Sequence, residues 1–269
     1  MNDKRAALGS HSKLQLASGR VTISAEMVQE VVETILKDAG CSHSVAREVA
    51  DHLIDTELCG IESHGVMRVM QYADQFAKGV MDPHAEAIIH RNEKGDDEVD
   101  GRGGIGIPAM RLAVDQCVAR AKEKGIAALP LRHVGHTGRL GAYAERAADE
   151  GCLAIIIGAI LPKGGAMGYG LAVMAELICE AMLGPVTTEV NWLIMAIDTT
   201  RYREPHIMMN VAEEILAELR DCPPARGVTR VEVPGERERR HRGENRERII
   251  ALPEATWTAM REKAKRAAF

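Results

Sequence analysis

Three short stretches of this chain bring together residue types that could do chemistry. The first is Ser63-His-Gly-Val-Met-Arg68. His64 and Arg68 are four residues apart, so on one helix they share a face, a turn from each other. Reduction of a carbonyl needs a proton donor beside the oxygen and a cation to hold a neighbouring carboxylate. A histidine and an arginine at this spacing could supply both, with Ser63 orienting the imidazole. The plainer account makes Ser63 a helix N-cap and Arg68 a solvated charge.

The second stretch is His133-Val-Gly-His-Thr-Gly-Arg139. It follows an apolar run and precedes a helical pattern, the place where open α/β sheets gather ligands. Thr137 and Gly138 could offer backbone N–H groups at a helix N-terminus, Arg139 a charge for a phosphate, and His136 a proton near neutral pH. Against this stands an ordinary polar loop with Thr137 as an N-cap. A zinc pair of His133 and His136 finds no third ligand at a suitable spacing. The third stretch, Pro234-Gly-Glu-Arg-Glu-Arg-Arg-His-Arg242, mixes signs like a solvated loop, although a turn at Gly235 backed by arginines could meet a cofactor phosphate. Gly101, Gly103 and Gly106 formally fit G-x-G-x-x-G, but acidic residues precede them instead of an apolar strand. A glycine turn is the better explanation.

The elements that must position these residues can be sketched from periodicity. Ser24 caps a helix over 25–39 that ends at Gly40, a second helix runs from Ser42 or Ser44 to Leu58, and a third spans 64–78. A short strand is expected at 87–90, then a polar turn and the glycine stretch. Pro108 opens a helix to Lys124, followed by a strand at 126–131, a helix at 140–150 and a wholly apolar strand at 153–160. That order predicts a strand–helix–strand unit with parallel strands, the second buried on both faces. Gly164–Gly170 opens a helix to Leu183. Strands at 192–198 and 229–233 and helices at 206–220 and 253–267 complete the pattern, and the first 22 residues form a loose extension.

Composition narrows the class. The 269 residues are 46% hydrophobic but only 3% aromatic, so aliphatic side chains and 13 methionines must fill the core. A net charge of -5 with interspersed signs argues against a nucleic-acid-coating protein. The six scattered cysteines contain no C-x-x-C pair and read as reduced core thiols. No apolar leader occupies the first twenty residues, and the apolar run at 152–161 is too short to cross a membrane. A cytoplasmic protein is expected.

Taken in order, the motifs resemble the malate/L-lactate dehydrogenase family of NAD(P)-dependent oxidoreductases, a non-Rossmann family. The matching stretches are Glu62–Arg68 with Tyr72, Val99–Gly101 with Gly106, Gly135–Arg139, Tyr143–Glu145, Gly168–Leu171 with Glu176, Ala196–Asp198, Val233–Arg237 and Leu252–Trp257. The resemblance implies an α+β fold. A helical domain from both chain ends, 23–85 and 206–269, clasps a mixed-sheet cofactor and substrate domain, 86–205, usually in a homodimer. It implies His64 as proton donor, Ser63 as its helper, Arg68 as ligand of the substrate carboxylate, and His136 as a base in some members. His136, Thr137, Gly138, Arg139 and Leu140, together with Gly235, Glu236 and Arg237, would contact NAD or NADP. The substrate would be a small 2-hydroxy or 2-keto acid, and no metal, nucleic acid or membrane is involved.

The chain also departs from that family. After Gly158 the family carries a long segment with a substrate loop and an Asp that completes the proton relay, whereas here Gly164 follows within a few residues. A lysine usual before Gly-Tyr-Gly is Met167, and a second shortening follows Gly184. Three accounts fit: an active 2-hydroxyacid dehydrogenase, a catalytically inactive dimeric binding or structural relative, or a chain from which residues were omitted. The last predicts Cα gaps well beyond the trans spacing of about 3.8 Å between Ile157 and Gly165 and between Gly184 and Trp192.

Overall fold

The computed structural model describes residues 19–158, 165–245 and 247–267. Among these residues, seven strands and nine α-helices build an α+β fold with two apolar cores.

The first core is helical. Ser24 and Ser42 lie in extended backbone and their hydroxyls accept from Met27 and Val45 N–H, starting α1 (Ala25–Asp38) and α2 (His43–Leu58) as the sequence implies. Val28, Val32, Ile35 and Leu36 of α1 meet Val49, Leu53 and Ile54 of α2, with Trp257 and Met260 of α9 (Glu254–Ala267) closing the cluster. Both chain ends thus share one core. They are stitched by a ribbon that the sequence reading missed: β1 (Arg20–Ser24) pairs antiparallel with β7 (Ile249–Pro253). Residues 20–22 are therefore strand and not loose extension, because a distant segment satisfies their backbone. Residues 1–18 of the expected extension lie outside the described residues.

The second core is built on a five-stranded sheet in the order β2-β3-β4-β6-β5. These strands are β2 (Ile88–Arg91), β3 (Asp97–Gly104), β4 (Ile126–Val134), β5 (Cys152–Ile157) and β6 (Val190–Asp198). Only β3 and β4 are parallel neighbours; the other pairs are antiparallel. The helix α4 (Gly106–Lys124) crosses from β3 to β4, packing Met110, Val114 and Cys117 on Leu129, Leu131 and Ile194. The helix α5 (Leu140–Asp149) leads from β4 to β5.

Several expectations change. Residues 97–104, read as a polar turn and glycine stretch, are a strand, held by pairing on both edges. β4 and β5 are parallel as expected, but β6 lies between them and β5 forms the sheet edge. Its Leu153 and Ile155 are exposed, so its apolar character does not reflect burial on both faces. Residues 229–233 form no strand, and the arginine-rich segment winds into α8 (Glu236–Glu244). The helix expected at 64–78 breaks into a 3-10 turn, Glu62–His64, and α3 (Arg68–Ala77), with extended Gly65 between them. α6 (Gly165–Glu176) runs into a π-helical turn, Leu177–Met182, and α7 (Pro205–Arg220) buries no residue. The expected gap at 157–165 falls mostly outside the described residues. In the second stretch Asn191 Nδ2 donates to Gly184 C=O at 2.8 Å, tying its two ends together.

Candidate functional site

His64 and Arg68 lie near enough for charge to couple them without sharing a helix. His64 ends the 3-10 turn and Arg68 opens α3, whose first N–H, that of Arg68, donates to Gly65 C=O at 3.0 Å. Arg68 Nε donates back to Ser63 C=O at 2.7 Å, and one of its terminal nitrogens to Gln71 Oε1 at 2.5 Å. Among the described residues Arg68 has no carboxylate partner within ion-pair distance; Glu189 is the acid whose charge it favours from further away. Ser63 Oγ lies 2.9 Å from His64 Nδ1, the contact expected of a helper hydroxyl. Burial, then Arg68, lowers the His64 pKa.

His136 stands opposite, its ring centre 5.2 Å from that of His64. It reaches this place from the end of β4, where Gly106 N–H donates to its carbonyl at 3.1 Å and Gly135 N–H donates to Gly104 C=O at 2.9 Å. The glycine-rich stretch is thus a cradle for the His136 loop rather than for a dinucleotide. Tyr72, one turn beyond Arg68 on α3, places its hydroxyl 2.7 Å from His136 Nδ1. Burial keeps the Tyr72 proton on, so the hydroxyl can donate. Gly138 N–H also donates to Nδ1, at 3.3 Å. With Nδ1 accepting, the neutral ring carries its proton on Nε2. That Nε2 is buried and has no partner among the described residues. Burial first, then Arg68, His64 and His52, push the His136 pKa to about 3. The expected titration near neutral pH is therefore corrected: His136 is a fixed neutral ring presenting an N–H.

The remaining loop residues are less available than their types suggest. Arg139 is 5% exposed, and its guanidinium binds Asp55 at 2.9 Å and Glu145 at 3.1 Å, so its charge is not free for a phosphate. Arg242 of α8 joins the same two carboxylates at 3.0 and 3.2 Å, pinning α8 to the loop. Arg139 N–H donates to His52 Nε2 at 2.9 Å, so the N-terminus of α5 is capped by a ring from α2 and not by Thr137. Thr137 is buried, and its carbonyl accepts the Tyr143 hydroxyl at 2.6 Å. Leu140 packs against the sheet core. His133 turns away from His136 to Asp100 at 3.0 Å, which dissolves the zinc pair.

Of the third stretch, Arg237, together with His241, shares a cavity with the site, a space of about 650 Å³ also lined by Ser63, Glu57 and Arg20. Its buried Nε has no partner among the described residues. Gly235 starts α8 with φ of 89°, and Glu236 is occupied by Val233 N–H at 3.0 Å and Arg220 at 2.6 Å. Sequence reasoning gave no role to Tyr72, His52 or Glu57. Tyr72 had a signal, its spacing of four from Arg68; His52 depends on a contact with the distant Arg139, and Glu57 on the nearby turn that folds back over it.

The family model described as malate/L-lactate dehydrogenase matches residues 23–159 and 154–261. The chain belongs to that family. Among curated relatives, malate dehydrogenase of Pyrococcus abyssi is 34% identical over 139 residues, covering 50% of this chain and 37% of the relative. The Delta(1)-pyrroline-2-carboxylate/Delta(1)-piperideine-2-carboxylate reductase of Pseudomonas putida is 32% identical over 130 residues, covering 48% and 38%. The chain therefore spans less than two fifths of the length of these two relatives. Its fold matches the structure of malate dehydrogenase from Pyrococcus horikoshii with a TM-score of 0.83 at 18% identity, covering 97% of this chain and 98% of that one. Sulfolactate dehydrogenase from Methanocaldococcus jannaschii matches with a TM-score of 0.80 at 19% identity, covering 93% and 98%.

Proposed function

We propose that this protein is a nicotinamide-dependent oxidoreductase that interconverts a small 2-hydroxy acid and its 2-keto acid. The observation that carries the reading is the convergence of a carboxylate-free Arg68, His64 with its Ser63 partner, and the unpartnered Nε2–H of His136. The curated relatives, named for malate dehydrogenase and a cyclic imino-acid reductase, support a substrate bearing a carboxylate.

In this reading Arg68 holds the substrate carboxylate and His136 Nε2–H donates a hydrogen bond to the C2 oxygen, fixing its direction. The lowered pKa of His64 leaves it neutral at pH 7, so in oxidation it takes the proton of the C2 hydroxyl while Ser63 orients the ring. In reduction the protonated form returns that proton to the oxygen. A bound nicotinamide supplies or accepts the hydride at C2. NAD or NADP fits the chain at the cavity shared by Ser63 and Arg237, where the unpartnered Arg237 Nε offers a donor to an anionic group. Arg139 contributes by holding the loop rather than by touching phosphate.

The working protein is read as a cytoplasmic homodimer, divided at 23–85 with 206–269 and at 86–205. The two core clusters support that division in outline, with Ile105 and Ile107 of the second unit packed in the helical cluster. Exposed Tyr169, Leu171, Met174 and Leu177 on and after α6, with exposed Leu153 and Ile155 of β5, support the dimer, since so much apolar surface favours a partner. No helix among the described residues is long and apolar enough to cross a membrane. The deciding experiment follows reduced-nicotinamide absorbance with NADH and NADPH against a panel of 2-keto acids. Turnover that falls in Arg68→Ala and His64→Ala supports the reading, and absence of turnover across the panel would leave a family member without this catalysis.

A further inference from the structure

Glu57 lies on the last turn of α2, facing the cavity that Ser63 also lines. Its Oε1 accepts the N–H of Val66 at 3.0 Å. Gly65 rests directly on the carboxyl: a Cβ there would overlap Oε1 and make the carboxyl or the turn shift. The turn is tied at its start, where Ile61 N–H donates to Thr56 C=O at 3.1 Å and Gly60 N–H to Glu57 C=O at 2.8 Å. Arg68 holds Ser63 C=O. Glu57 is the titratable support beneath it.

We propose that Glu57 is a positioning residue for His64: its carboxyl, under Gly65 and on the Val66 N–H, sets the height of the 62–66 turn and with it the approach of His64 to His136. The catalytic consequence rests on the function proposed above, whereas the geometric statement stands without it. The groups facing the carboxyl come from several elements. Glu62 lies on the turn and Arg20 on β1, paired with Glu62 at 2.5 Å, while Arg237, His241 and Glu244 of α8 line the far wall. Burial, then Glu62, raise the Glu57 pKa to about 8 against the opposing Val66 N–H and Arg20. Near neutral pH the group is protonated; its Oε1 still accepts from Val66 without placing a second charge beside Glu62. Ionisation at higher pH adds that charge beneath the turn.

The test uses the labelled full chain and needs no substrate. NMR follows the Val66 amide and the His64 ring through pH in wild type, Glu57→Gln and Glu57→Ala. In wild type both signals should move together with an inflection near pH 8. Glu57→Gln, which mimics the neutral carboxyl, should abolish that inflection and keep the wild-type His64 titration. Glu57→Ala should release the turn and move the His64 midpoint up toward an ordinary imidazole. Should the alanine variant not fold, Glu57→Asp, one methylene too short to reach Val66, takes its place with the same expectation. An unchanged His64 titration on truncation, or an inflection that persists in Glu57→Gln, overturns the proposal. A His64 shift on truncation in a protein that turns over no keto acid would keep the positioning role and sink the dehydrogenase reading instead.

Discussion

Replacing His52 by glutamine should make the protein less stable at neutral pH and more stable in acid. His52 reaches from α2 to the N-terminus of α5, where its Nε2 lone pair accepts Arg139 N–H and its ring stacks on Tyr143 with centroids 5.3 Å apart. Burial foremost, then Arg139, with smaller contributions from Arg111 and His64 and opposition from Asp55, lowers its pKa to about 4. Protonation would fill the lone pair that caps the helix. The unfolded value of about 6.5 lies above the folded one, so above pH 6.5 both states are neutral and the group adds no pH dependence. Between roughly pH 6.5 and 4 the unfolded chain binds a proton that the folded chain refuses. Stability therefore falls with pH by up to about 1.4 kcal/mol per unit, about 3 kcal/mol in all. Glutamine can still accept from Arg139 through its Oε1 but does not titrate, and it forfeits the ring stack, about 0.5–1.5 kcal/mol. The two stability curves should cross between about pH 5.4 and 6.4. Urea unfolding of both proteins from pH 4.5 to 8 measures the difference, in which contributions from groups the variant leaves alone largely cancel. A stability difference that stays constant with pH would refute the account of His52 as a neutral cap.

Arg68→Ala should raise KM for the acid substrate by about 10- to 100-fold, the equivalent of losing one charged hydrogen bond of roughly 1.5–3 kcal/mol; an unchanged KM in steady-state kinetics counts against its role. Tyr72→Phe removes one of two donors to His136 Nδ1. It should lower kcat with little effect on folding, because the phenyl ring keeps the packing; equal kcat values would show the hydroxyl is idle. Gly138→Ala must place a Cβ at φ of 75° against His52 Nε2. A destabilisation of about 2–4 kcal/mol in urea is expected from backbone strain and the displaced cap, and less than 0.5 kcal/mol would contradict the packing. Leu171→Asp with Met174→Asp should convert a dimer to a monomer in light scattering, and an unaltered mass would place the interface elsewhere.

By itself the sequence determined what depends on short-range order. Ser24 and Ser42 cap helices, Gly125 ends α4, and the apolar runs become strands, because these outcomes follow from a few neighbouring residues. Ser63, His64, Arg68 and His136 were legible as candidates from residue type, spacing and family resemblance, and the structure gathers them. What each can do there was decided only by tertiary contacts. Arg139 looked like a free cation until Asp55 and Glu145 closed on it from α2 and α5. His136 looked titratable until burial and Arg68 disfavoured its charge. The strand β1 had no local pattern to declare it, since its partner β7 lies more than two hundred residues away. His64 and Arg68 were expected to meet through one helix, yet they come near each other because the chain breaks at Gly65 and settles on Glu57. Periodicity records which face of an element is apolar; it carries no record of which charge, lone pair or carboxyl from a distant segment will face it, and that is what sets pKa and availability.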